Sequence, residues 1–95
     1  MYELKVLRKS DNEILLEIRG EDHTLGNLLV KEALRHPKVE YAAYRIPHPL
    51  QDRMEIYIAT TKDANIKDII REVIDSIRKY LNEFKNEVVS KLGEA

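Results

Sequence analysis

Three histidines, an Asp-His pair and three strand-type tyrosines are the side chains in this sequence best suited to chemistry. His23, His36 and His48 stand 13 and 12 residues apart, with no HxxxH pair and no cysteine to complete a ligand set. Metal sites draw at least two ligands from closely spaced positions, so this spacing argues against a metal centre. Hydrogen bonding at a helix start or a turn is the simpler role for each histidine. Asp22-His23 has the residue types for general acid–base work. That chemistry also needs an orienting third group and a pocket for substrate, and a chain of 95 residues leaves little room for one. No catalytic residue and no cofactor is expected. Tyr41, Tyr44 and Tyr57 could stack single-stranded bases. Their neighbours Glu40, Arg45, Arg53 and Glu55 are mixed in charge, and 16 basic against 17 acidic residues leave a net charge of −1. Without a basic field to track phosphates, direct nucleic-acid binding is not expected. A stand-alone α+β RNA-binding module using these tyrosines stands as the alternative reading.

The elements that position these residues follow from periodicity. Residues 2–9 alternate, with Tyr2, Leu4 and Val6 on one face, and residues 13–19 alternate again, with Ile14, Leu16 and Ile18 inward. Two half-buried strands joined by Ser10-Asp11-Asn12 make a β-hairpin. A helix over 24–35 is predicted, capped by Thr24 or Asp22 and stopped at His36-Pro37, because the residue before a proline is pushed out of the α region. Residues 40–46 read as a third strand, 47–52 as a turn, and Met54, Ile56 and Ile58 as the inward side of a fourth. A second helix starts near Asn65, a good N-cap, with an apolar stripe of Ile66, Ile69, Ile70, Val73, Ile74, Ile77, Tyr80, Leu81, Phe84, Val88 and Leu92. The order is ββαββα. The expected fold is α+β: a two-layer sandwich in which two helices, the C-terminal one long, cover a four-stranded antiparallel sheet. Residues 1–95 are expected to form a single domain. No apolar run approaches the ~20 residues that span a membrane, and the N-terminus lacks a signal-peptide pattern, so a cytoplasmic protein is expected.

The second helix is too long for its own sheet. From Asn65 to Leu92 it should run roughly 40 Å at 1.5 Å per residue, whereas four strands make a sheet under ~20 Å wide. The stripe stays apolar along the overhang. Apolar surface held away from its own core implies a partner.

Residues 21–50 carry a more specific signal. Gly26 costs roughly 1 kcal/mol against alanine in the first turn of a helix, and the usual reason to accept that cost is close approach of another backbone. Asn27 beside it presents an amide. His23-Thr24-Leu25-Gly26-Asn27-Leu28-Leu29, followed by Val39, Tyr41-Ala42-Ala43-Tyr44 and Ile46-Pro47-His48-Pro49-Leu50, resembles the small alpha-like assembly-subunit family of multisubunit RNA polymerases. A looser Thr-Leu-Gly-Asn-x-Leu occurs in the bacterial alpha subunit. The match extends along essentially the whole chain in length and element order.

That resemblance implies a non-catalytic polymerase subunit that pairs as a heterodimer with a larger alpha-like subunit, the one lettered D in archaea. The pair forms the assembly platform for the large catalytic subunits. The resemblance also implies that small zinc-binding subunits join the same subassembly. The partner interface is expected at His23, Thr24, Leu25, Gly26, Asn27, Pro47, His48 and Pro49, which carry the family motifs, and at Tyr80, Leu81, Phe84, Val88 and Leu92 on the helix overhang. One departure stands out. The bacterial pattern has arginine directly after its second leucine, and this sequence has Val30 there, with Lys31 next.

Overall fold

The computed structural model describes residues 3–20 and 23–93, the side chain of His23 excepted. Strands β1 (Glu3–Lys9) and β2 (Glu13–Arg19) precede helix α1 (His23–Leu34). Strands β3 (Val39–Arg45) and β4 (Arg53–Thr60) precede helix α2 (Ile66–Gly93). The four strands form one antiparallel sheet in the order β1-β2-β4-β3. This is the expected ββαββα sandwich with a long C-terminal helix.

Alternation decides which side chains meet the helices. Leu16 pairs with Ile56, which pairs in turn with Tyr44, and Ile14 pairs with Ile58, which pairs with Ala42. Those residues, with Ile18 and Met54, meet Val30 and Ala33 of α1 and Ile66, Ile69 and Val73 of α2 in the core. The start of α2 is fixed by its predicted chemistry. Asn65 caps α2, its side-chain oxygen accepting from the Lys67 N–H at 2.9 Å, and Asp68 lies in the first turn, where its charge favours the helix dipole. Past α1, His36 accepts from the Lys38 N–H through Nδ1 at 3.1 Å, and its Nε2 lies 3.1 Å from Glu72 Oε1 on α2. Since Nδ1 accepts, the ring proton sits on Nε2 and is donated to Glu72. His36 therefore ties the two helices together, in the turn role expected of it. Asn12 ties the first hairpin to the start of α2, its amide donating to the carbonyls of Thr61 at 2.9 Å and Ala64 at 2.7 Å.

One expectation fails at β1. Leu4 and Val6 do lie on the helix side of the sheet, opposite Ile18 and Leu16, yet both are more than half exposed. The physical reason is strand order. The helices pack over β3 and β4, and β1, at the far edge beyond β2, has no helix above it. A register shift between Val6 and Arg8 places Leu7 at a bulge, which twists an edge strand and blunts its pairing. The expectation at Tyr2 lies outside the described residues.

The other face of the sheet carries no helix, but two of its charges are buried. Glu17 is 3% and Glu55 8% exposed, and they sit directly opposite each other on β2 and β4. Like charges in that position repel. Arginines offset the repulsion: Arg53 donates to Glu17 at 2.9 Å, Arg19 at 3.1 Å, and Arg45 to Glu55 at 2.8 Å. Hydrogen bonds from Arg53 and then Arg19 hold the Glu17 carboxyl below its ordinary value of 4.5, against the opposing effect of burial. A carboxyl depressed in the folded state contributes stability above its unfolded pKa, and that contribution is lost as pH falls through the lower folded value. Glu17→Gln is therefore expected to be less stable than the parent at about pH 7, with the two urea-unfolding curves converging below about pH 4. A constant gap down to acid pH would assign Glu17 no role in the acid sensitivity.

Candidate subunit interface

Helix α2 changes character midway. Its buried positions end at Val73 and its half-buried positions at Ile77, and from Arg78 to Gly93 every described residue is exposed. Sixteen residues at 1.5 Å each project about 24 Å beyond the last core contact. The stripe that is buried at Ile66, Ile69 and Val73 continues in solvent through Tyr80, Leu81, Phe84, Val88 and Leu92, with Phe84 at 64% and Leu92 at 70% exposure. Spacings of three and four residues put those side chains on one face. Val89, also exposed, widens the strip; it stands off the stripe, so periodicity alone does not pick it out. Leu4, Val6 and Ile74 are further exposed apolar residues that periodicity places inward, and Leu7, on the outward side of β1, is exposed as well.

The two motif segments come together at one end of the sheet. Both α1 and the 46–52 turn start where β2 and β3 end, and the Gly20 N–H donates to the Asp52 carbonyl at 3.2 Å across that end. Gly20 has φ 82°, a left-handed conformation in which glycine carries no Cβ penalty. Thr24 and Asn27 are exposed, Leu25 is half-buried against the core, and Pro47 is half-buried with His48 and Pro49 exposed. His48 accepts from the Leu50 N–H at 3.3 Å, so it shapes the turn. Asp22, Glu21 and the His23 side chain lie outside the described residues, and Thr24 falls inside the helix.

Gly26 departs from its expected role. It is buried, and a Cβ on it would lie 2.1 Å from Met54 Sδ and 3.0 Å from Met54 Cε. Met54 belongs to β4 of the same chain and is 2% exposed. The close approach that requires glycine is therefore α1 against its own sheet rather than a partner's backbone.

The tyrosines do not form one stacking surface. Tyr41 and Tyr57 lie on the helix-free face with ring centroids 5.7 Å apart, and the Tyr57 hydroxyl donates to Glu13. Tyr44, opposite Ile56, faces the other way and packs on the core. Among the described residues no three His, Asp or Glu side chains gather to hold a metal ion, and none of the helices is long and apolar enough to cross a membrane.

Comparison with known proteins converges on one family. The RNA polymerase Rpb3/Rpb11 dimerisation domain matches residues 13–87. The chain belongs to the Rpb3/Rpb11 dimerisation-domain family. Among its relatives, DNA-directed RNA polymerase subunit Rpo11 of Sulfolobus acidocaldarius is 38% identical over 86 residues, covering 90% of this chain and 96% of that one. The Rpo11 subunit of Aeropyrum pernix is 30% identical over 92 residues, covering 97% and 93%. The crystal structure of DNA-directed RNA polymerase subunit L from Thermoplasma acidophilum superposes with a TM-score of 0.81 at 26% identity, covering 96% of this chain and 89% of that one. The chain is thus an Rpb11-like RNA polymerase subunit.

Proposed function

We propose that this Rpb11-like chain pairs with the larger alpha-like polypeptide of the polymerase, the one lettered D in archaea. The pair is the platform on which the large catalytic subunits assemble, with small zinc-binding subunits joining it. The observation that carries the reading is the solvent-exposed continuation of the α2 stripe, which has an apolar face and no sheet of its own to cover. Burying such a face against a partner helix is the ordinary way to stabilise it. The chain contributes no catalytic group in this reading; nucleotidyl transfer resides in the large subunits of the complex. The exposed Thr24, Asn27, His48 and Pro49 at the sheet end form a second contact surface for the assembled enzyme, and the complex works in the cytoplasm. A tagged chain expressed in its own host should retrieve the alpha-like partner and the large polymerase subunits from native extract. Retrieval of neither would overturn the proposal.

A further inference from the structure

A groove of about 660 Å³ runs between the first half of α2 and the β1–β2 side of the sheet. Its floor is apolar: Ile14 from β2 with Ile66, Ile70 and Ile74 from α2. Its rim is basic. Lys9 comes from the end of β1, and Lys67, Arg71 and Arg78 come from α2 at intervals of four and seven residues, with Asp75 the one acid among the lining residues. Among the described residues none of the four cations forms a salt bridge, although five Arg or Lys bridges to carboxylates are made elsewhere among them. Lys9 and Lys67 crowd each other. The Lys9 ammonium is held below its ordinary range by loss of water and then by the nearby Lys67, with Asp11 acting in the opposite direction.

We infer that this groove takes an amphipathic helix from the dimerising partner, one whose apolar spine is flanked by carboxylates. An isoleucine floor suits an aliphatic spine rather than a phosphate chain, and unpaired cations on both banks favour flanking acids over flanking bases. A second copy of this chain fits less well. Its own overhang carries Arg78, Lys79, Lys85 and Lys91 against Glu83 and Glu87, so it brings an excess of positive charge to a rim that is already basic. Matching the partner and mismatching the self-copy is how charge selects a heterodimer. The inference rests on the dimerisation reading above and adds the chemistry of the segment received.

Two fluorescent helical peptides of about 18 residues, long enough to span several turns, test it against the full chain. They share one leucine spine; one has glutamate flanks and the other lysine flanks. Fluorescence anisotropy at about 0.05 M salt, where surface charges are weakly screened, should show the glutamate peptide binding at least about tenfold more tightly, a difference of about 1.4 kcal/mol. In the Lys67→Glu, Arg71→Glu double variant the preference should reverse, while Lys62→Glu, at an exposed site outside the groove lining, should leave it unchanged. Thermal melting of each variant checks the fold. Equal affinity for both peptides, binding of neither, or binding of a single-stranded oligothymidylate as tight as the glutamate peptide would overturn the inference. Co-purification of the intact chain with the large polymerase subunits would stand apart from any of these results, so loss of the groove assignment and loss of the functional proposal are separable.

Discussion

Truncation after Lys79 should leave a chain that still unfolds cooperatively but no longer holds the alpha-like partner proposed for it. The core is complete without the missing segment. Ile66, Ile69 and Val73 are buried, Ile70 and Ile77 pack against them, and every described residue after Ile77 faces solvent. The helical circular-dichroism signal should fall by the share of α2 removed, with the melting temperature little changed. Solubility should rise as the exposed strip disappears. Binding should suffer far more. Tyr80, Leu81, Phe84, Val88 and Leu92 are lost together, and buried aromatic and large aliphatic anchors often cost about 2 kcal/mol or more each when truncated, though not additively. A loss of several kcal/mol, roughly a thousandfold or greater, is expected by isothermal titration. If the truncated chain is unfolded, the overhang supports its own domain and its assignment to the interface fails.

Gly26→Val should act on folding rather than on binding. The first atom added would sit 2.1 Å from Met54 Sδ, so Met54 must move. Its thioether is flexible, but at 2% exposure it has to repack among buried neighbours rather than swing into solvent. Overpacking of this kind costs about 1–3 kcal/mol, of which the better helix propensity of valine returns only a fraction. The melting temperature should drop by roughly 10 °C for a domain of this size. Shortening the partner side chain isolates the cause: in a double-mutant cycle, Met54→Ala should make Gly26→Val less costly by about 1 kcal/mol. Affinity for the alpha-like partner, measured at a temperature where the variant is folded, should be unchanged. Normal stability with lost affinity would instead return Gly26 to the interface.

These cases mark where the sequence is legible. Element order, the Asn65 cap and the α2 overhang depend on neighbouring residues alone. Period-two and period-3.6 patterns, cap chemistry and helix length can all be read locally. The exposure of Leu4 and Val6 could not be read, because alternation gives a strand its two faces but not its neighbours, and only the order β1-β2-β4-β3 leaves that edge uncovered. Gly26 signalled a close approach correctly, yet nothing nearby in the chain identifies Met54, far along the sequence on β4, as what approaches. Alternation alone puts Glu17 and Glu55 on the face of the sheet away from the helices, where it gives no sign of burial. Their burial comes from arginines on the same sheet face, with Arg53 and Arg45 reaching across from adjacent strands. The motif segments were legible as a resemblance. Their meeting at one end of the sheet is a consequence of topology, and the basic-rimmed groove likewise needs Lys9 at the end of β1 brought near the first half of α2.

Hydrogen exchange of the chain alone and with the purified alpha-like polypeptide proposed as its partner tests the central claim most directly. In the free chain, amides across residues 80–92 lie in a helix with no packed face and should exchange quickly, while the strands β2 and β4 exchange slowly. With the partner bound, exchange across 80–92 should slow at least about tenfold, with little change on the helix-free face of the sheet. Unchanged exchange across 80–92 in a stable complex would contradict the account, because the partner would then be held by some other surface.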